Sequence, residues 1–380
     1  MPRTTERLPL LETAPGTSRH LLVHRFGQAG ARPKAYLQAS LHADEIPGLL
    51  VLHHLIGLLE NADAAGAIQG EIVIVPYANP IGLAQTVNAQ QLGRFDLMGG
   101  GNFNRTWPDL FGPTAEQVEG RLGADADANV AAIRAALRRT VDARKAEKEL
   151  DSLRHHLARL AVDADIVLDL HCDDDALMHL YLIPAHWPEA SDLAAELGCE
   201  AVMLADDSGD NPFDETFSTP WTRLAARFPD HPIPPACLSA TVELRGYADV
   251  SDDLAERDAG ALFRVLQRRG LIAGDPGPLP TPRCAATRLD ACDVVKSPGA
   301  GVLSYAVALG DHVNEGDAIA HLIDPAAEDL ATARQTIHSR TAGLVLSRRT
   351  HKLAWPGVSV AKIVGTEPLA HRQHGKLAED

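Results

Sequence analysis

Apolar residues fall along the first 270 positions in bursts of two kinds, compact and extended. Residues 21–26, 35–41 and 71–76 are compact runs bounded by Gly, Pro and polar residues, and each predicts a strand. Residues 49–59 form an apolar run too long for a strand. Only Gly57 disfavours a helix there, and Pro47 suits its first turn. Residues 117–162 carry helical periodicity. An alanine-rich, charged part at 129–148 reads as a solvated helix, and 150–160 as a second, amphipathic one. A short buried strand at 166–170 ends at His171, and a strand–helix unit follows at 177–184 and 191–197. A strand at 240–244 and an amphipathic helix at 254–269 complete the series. Such alternation predicts an α/β fold with a mostly parallel sheet flanked by helices.

Three stretches interrupt this rhythm. Residues 77–82 read as a turn. Residues 90–109, dense in Gly, Asn and Arg, read as a long loop, a kind of segment that often carries function. Residues 274–282 are rich in Pro and Gly and predict a linker after a first domain over 1–273. Beyond it, short strands and turns recur at 301–303, 310–313, 316–319, 343–346 and 358–364. They predict a small β-domain over 283–367, followed by a polar tail over 368–380. The Gly310-Asp311-x-Val313-x-x-Gly316-Asp317-x-Ile319 spacing resembles a barrel-sandwich (lipoyl- or biotinyl-like) module. A swinging-arm version needs a lysine at a hairpin tip, and none occurs between Lys296 and Lys352, so covalent cofactor attachment is rejected.

Composition narrows the chemistry. With 45% hydrophobic and 23% charged residues among 380, the chain is of the soluble globular type. A formal net charge of -16 argues against binding a phosphate backbone, so no nucleic-acid partner is expected. An anionic substrate must then be held by a few local arginines. Five cysteines without a Cys-x-x-Cys pair disfavour both a disulfide framework and a cysteine zinc site. Residues 1–18 contain no apolar signal core, and no run approaches the roughly 18 apolar residues of a membrane span. Cytoplasmic location is expected, with no membrane partner. The helical hairpin near 129–148 is a possible surface for a homo-oligomer.

The residues that attract attention lie at strand ends. His42 and Glu45 occupy the turn between the strand at 35–41 and the helix that Pro47 opens. The carboxyl end of a strand in an open α/β sheet is where ligands gather, and imidazole with carboxylate suits zinc. The same spacing recurs at His186–Glu189 and His312–Glu315, so context must decide. His312 lies in a turn far from other ligand candidates, whereas His186 also follows a strand and is a genuine rival. His171, ending another apolar strand, supplies the best third ligand beside His42 and Glu45. Asp169, two positions earlier, shares its face and is placed to fix the imidazole tautomer. Glu243 is a charged residue inside an apolar strand. It is either a general base for water activated by zinc or the partner of a cation such as Arg245. In the loop, Asn104 and Arg105 place an amide beside a guanidinium able to grip a carboxylate, and Arg94 is available to polarise a carbonyl.

In this order and at these distances, His42-x-x-Glu45, Asn104-Arg105, Asp169-Leu170-His171 and Glu243 resemble the zinc carboxypeptidase superfamily. Within it they are most similar to the succinylglutamate desuccinylase/aspartoacylase family. The resemblance implies a compact catalytic domain followed by a small β-domain. It implies one zinc ion per chain on His42, Glu45 and His171, with Glu243 as general base and acid. Asn104 and Arg105 would bind a substrate carboxylate, and Arg94 the scissile carbonyl. Tyr181 and Tyr247 are candidates for the tyrosine that caps substrate in the peptidase branch. The expected activity is hydrolysis of the amide of a small N-acyl amino acid. A metallocarboxypeptidase and a non-catalytic metal-binding or regulatory protein remain the alternatives.

Overall fold

The computed structural model describes residues 3–372; residues 373–380, most of the expected tail, lie outside the described residues. The strands of the large sheet are β1 (Thr4–Pro9), β2 (His20–Phe26), β3 (Lys34–Ala39), β4 (Glu71–Val75), β5 (Ile166–Asp173), β6 (His179–Leu182), β7 (Ala201–Leu204), β8 (Leu238–Gly246) and β9 (Ala286–Arg288). Across the sheet they run β1-β2-β4-β3-β5-β8-β6-β7-β9. β4, β3, β5 and β8 are mutually parallel, as are β6, β7 and β9. The pairs β1/β2, β2/β4 and β6/β8 are antiparallel.

Helices cover both faces: α1 (Pro47–Ala64), α2 (Pro80–Leu83), α3 (Phe111–Val118), α4 (Ala126–Asp142), α5 (Glu149–Ala161), α6 (Ser191–Leu197), α7 (Phe213–Arg227) and α8 (Asp252–Arg268). Side chains alternate between the faces of a strand. Leu37, Leu168, Leu170, Val242 and Leu244 therefore pack with α1, α6 and α8, while Tyr36, Val73, Val75 and Val167 pack with α3, α4, α5 and α7. Burial on both faces explains why the central strands read as continuous apolar runs. Each Leu, Ile or Val removed from water contributes about 1.5–3 kcal/mol. Gln38, Asp169 and His171 interrupt the second face with polar groups, and all three are buried.

The expected α/β sheet is present, and several segments differ in detail. β5 continues to Asp173, because β8 pairs with it beyond position 170, so His171 lies within the strand rather than after it. The span 117–162 resolves into α4 and α5 preceded by α3, which begins at Phe111. α4 is not simply solvated: it buries Ile133, Ala136, Leu137 and Val141. The turn at 77–82 contains the start of α2, where the Asn79 side chain caps the Gly82 N–H at 2.8 Å. The loop at 90–109 includes one short hairpin, Phe95–Asp96 with Gly101–Asn102, and the second arm of another, Thr86–Val87 with Gln90–Gln91. α7, β1 and β7 were not expected. Pro220 lies inside α7, and β1 is mostly exposed, so neither carries a clean apolar pattern.

After β9 the chain forms small antiparallel sheets around Val295, Leu303, Ile319, Val345 and Ile363. These sheets reach back to the segment just past His171. Asp175–Ala176 pairs with Ser347–Arg348, Lys362 bonds Asp173 at 2.7 Å, and Arg348 bonds Asp175 at 2.8 Å. No helix among the described residues is long and apolar enough to cross a membrane.

Candidate metal centre and active site

Local geometry brings the first two site residues off the end of β3. Ser40 adopts φ 62°, a left-handed conformation uncommon for a non-glycine residue, and turns the chain into His42–Glu45 before Pro47 opens α1. A Cβ on Gly48 would lie 2.9 Å from the Ala39 Cβ and 3.2 Å from the Leu170 carbonyl oxygen. Glycine is what lets α1 begin this close to β3 and β5. Gly93 is equally constrained, since a Cβ there would meet the Asp44 nitrogen at 2.1 Å. Its carbonyl accepts the Ala43 N–H at 2.9 Å, which lays the loop carrying Arg94 against the turn.

His42, Glu45 and His171 converge, their candidate ligand atoms all lying within 4.8 Å of one another, and all three are buried. The Asn102 Oδ1 accepts the Asn104 backbone N–H at 2.9 Å and faces the His42 Nε2 at 2.8 Å, so this ring nitrogen is the donor. The His42 Nδ1 then carries the lone pair, 2.9 Å from the Glu45 Oε1 and 3.3 Å from the Arg94 Nη1, which donates to it. His171 repeats the arrangement: its Nε2 donates to the Asp169 Oδ2 at 2.8 Å, and its Nδ1 faces the Glu45 Oε2 at 2.7 Å. Two imidazole Nδ1 atoms thus face one carboxylate, an arrangement that favours positive charge among them, part of which Arg94 supplies through Glu45 and His42.

The electrostatics agree. Burial pushes the His42 imidazole down to about 4, which keeps it neutral. Burial also disfavours a charged His171, but Asp169 and Glu45 outweigh it and hold that pKa well above the usual value. Burial opposes ionisation of Glu45 too, yet His42 and His171 keep it well below the carboxylate range. With no metal, His171 takes up a proton; a divalent cation on the same three groups satisfies them without it. Two nitrogens and a carboxylate oxygen, each oriented from behind, fit zinc.

Glu243 is the register partner of His171 on the neighbouring strand, and of His179 on the other side. Its Oε2 is buried with no hydrogen-bond partner. Burial, then the nearby Glu45 charge, pushes its carboxyl up to about 8. Arg245 does not neutralise it. That residue, at φ 64° in a bulge of β8, bonds Asp258 of α8 at 2.5 Å.

A cavity of about 960 Å³ opens in front of these groups and is also lined by Arg94, Asn104, Arg105, Tyr181 and Tyr247. Arg94 donates to the Glu45 Oε1 at 3.0 Å. The Asn104 Oδ1 accepts the Phe213 N–H at 2.8 Å, and the Arg105 Nη1 donates to the Asn104 carbonyl at 2.9 Å. The C-terminal sheets form the opposite wall through Arg349, Trp355 and Lys362. The rival motifs do not assemble. Glu189 turns to Arg269 at 3.3 Å, His312 is exposed, and no second cluster of metal-ligating groups occurs among the described residues. Asn102 and the C-terminal wall were missed in the sequence, where nothing in their spacing sets them apart.

A large, mostly parallel sheet with this cluster at its carboxyl ends, followed by small antiparallel sheets, defines a mixed α/β protein of the desuccinylase/aspartoacylase fold. The chain belongs to the succinylglutamate desuccinylase/aspartoacylase family, whose catalytic-domain model matches residues 31–269. It is 26% identical over 303 residues to the N-alpha-acetyl-L-2,4-diaminobutyric acid deacetylase of Halomonas elongata, covering 78% of this chain and 72% of the relative. A crystal structure from Shewanella amazonensis, described as a putative member of the same family, matches with a TM-score of 0.83 and 27% identity, over 96% of this chain and 98% of that one. A second such structure, from Shewanella frigidimarina, has a TM-score of 0.83 at 23% identity, covering 96% and 97%, and shows the shared fold.

Proposed function

We propose that this protein is a zinc-dependent amidohydrolase that removes the acyl group from a small N-acyl amino acid. One observation carries the reading: His42, Glu45 and His171 converge near Glu243, whose Oε2 has no hydrogen-bond partner, and all four line one cavity. Zinc held by those three residues supplies Lewis acidity, polarising a carbonyl and acidifying water. Glu243 accepts the proton of the attacking water and passes it to the departing nitrogen, so amide and water become carboxylate and amine. Its burial suits this double task, because the carboxyl releases and regains a proton near neutral pH. Asn104 and Arg105 hold the carboxylate of the substrate, and Arg94 stabilises negative charge developing on the carbonyl oxygen.

The wall contributed by Arg349, Trp355 and Lys362 favours a small substrate over an extended peptide. The activity of the Halomonas relative makes N-acetyl diamino acids the first compounds to test. No disulfide joins the five cysteines among the described residues, in keeping with a reducing cytoplasm. Metal analysis of the purified protein, with turnover measured on N-acetyl and N-succinyl amino acids and on tripeptides, tests the reading. Zinc at one per chain with cleavage of acyl amino acids supports it. Cleavage of tripeptides alone, or no metal-dependent turnover on any of them, overturns it.

A further inference from the structure

A chain of buried polar side chains runs away from the metal cluster into the sheet. The Tyr36 hydroxyl donates to the Gln38 Oε1 at 2.6 Å, and the Gln38 Nε2 donates to the Asp169 Oδ1 at 3.0 Å. The Asp169 Oδ2 in turn receives the His171 Nε2–H at 2.8 Å. Tyr36, Gln38 and Asp169 are all 0% exposed. The register places them together: Gln38 is the direct partner of Asp169 across β3 and β5, and Tyr36 and His171 lie two positions away on the same face.

Each bond in the chain has one possible direction. A carboxylate only accepts, so the Gln38 amide must turn its NH₂ to Asp169 and its oxygen to the Tyr36 hydroxyl. With one carboxylate oxygen held by Gln38, Asp169 presents the other to the imidazole, which fixes the proton on Nε2 and bares Nδ1 toward Glu45. On the face that carries Gln38 the neighbouring strand positions are otherwise apolar, with Tyr36, Val73, Val75 and Val167 in the same layer. An unsatisfied amide in such a place is destabilising, and a leucine there would fill the space without that risk.

We infer that Gln38 and Tyr36 are positioning residues for the metal: they aim Asp169, and through it set the tautomer and orientation of His171. The inference rests on the metal-site reading above and extends the set of groups that govern metal affinity two residues further into β3. Groups that orient a ligand from behind typically change metal affinity 10- to 100-fold, and residues one step further back are expected to act more weakly.

The test is zinc affinity of the metal-free full chain, by competition with a chromophoric chelator, for wild type, Gln38→Met and Tyr36→Phe. Gln38→Met is expected to weaken zinc binding about 10-fold and Tyr36→Phe about 3-fold. Both are expected to alter the visible spectrum of the cobalt-substituted protein, which reports ligand orientation. Thermal unfolding of the metal-free forms separates a general loss of stability from a specific loss of metal. If both variants bind zinc within twofold of wild type with an unchanged cobalt spectrum, the inference is overturned and the deacylase reading stands. A wild-type chain that binds no divalent metal overturns both. Should Gln38→Met not fold, Tyr36→Phe decides, since it removes one hydroxyl and leaves the ring against Phe213.

Discussion

Glu243 and His171 face each other across the parallel strands β8 and β5 as direct register partners. Residues paired in this way project from the same side of a sheet. A proposed base and a proposed metal ligand, 72 positions apart in the sequence, are therefore held at a separation set by main-chain hydrogen bonds. Substituting either side chain should leave the backbone that positions the other in place.

Glu243→Gln removes the proposed proton acceptor and keeps the shape. It is expected to lower kcat by about 10²- to 10⁴-fold with zinc content unchanged. Steady-state kinetics alongside metal analysis checks this, and retention of most of the activity rules out Glu243 as the base.

The pH profile carries the same assignment. Burial and Glu45 raise the Glu243 carboxyl to about 8 in the absence of a cation, and a bound divalent metal lowers it from there. The base works when deprotonated, so kcat/KM should fall as pH drops through its pKa. The limb should lie at or below 8 in the wild type and vanish in Glu243→Gln.

The proposed carboxylate clamp of Asn104 and Arg105 predicts a defect confined to substrate recognition. Arg105→Met removes a charge-assisted contact of about 1.5–3 kcal/mol, which corresponds to a loss of about 10- to 100-fold in kcat/KM. The loss should disappear when the substrate carboxylate is replaced by a carboxamide. A double-mutant cycle with the two substrates shows whether the losses add, as they would if Arg105 did not touch the carboxylate.

The Lys362–Asp173 pair joins the C-terminal sheets to the strand that bears His171. Burial alone would raise the Asp173 pKa, but Lys362 lowers it to about 2. A depressed carboxyl pKa stabilises the fold above its unfolded value, near 4, and the contribution fades as pH falls toward 2. Lys362→Met leaves a partly buried carboxylate without its cation, at a cost of about 1–3 kcal/mol. Denaturant unfolding at pH 7 should show that loss, and the difference from wild type should shrink in acid.

Much of this was legible in the sequence because it depended on local pattern. Continuous apolar runs marked the central strands, and Pro47 marked the start of α1. His42–Glu45 stood out because it lay between two such segments. What could not be read were relationships made by strand order and long-range packing. Asn102 reaches His42 only because Gly93 allows the loop to lie on the turn. Gln38 looks like an ordinary strand residue until β5 is placed beside β3. Likewise, Lys362 and Trp355 carry no local mark of a cavity wall, since the wall exists only once the C-terminal sheets fold back on Asp173–Ala176.

The strand β9 follows the Pro- and Gly-rich connection at 274–282, yet it completes the rim of the large sheet by pairing with β7. A chain severed in that connection would forfeit more than the far wall of the cavity. It would expose the main-chain amides and carbonyls along one flank of β7, a ready template for pairing with other molecules. Covalently, the two regions are beads on a string; mechanically, they are laced together, and trimming either should yield clumping rather than a simpler enzyme.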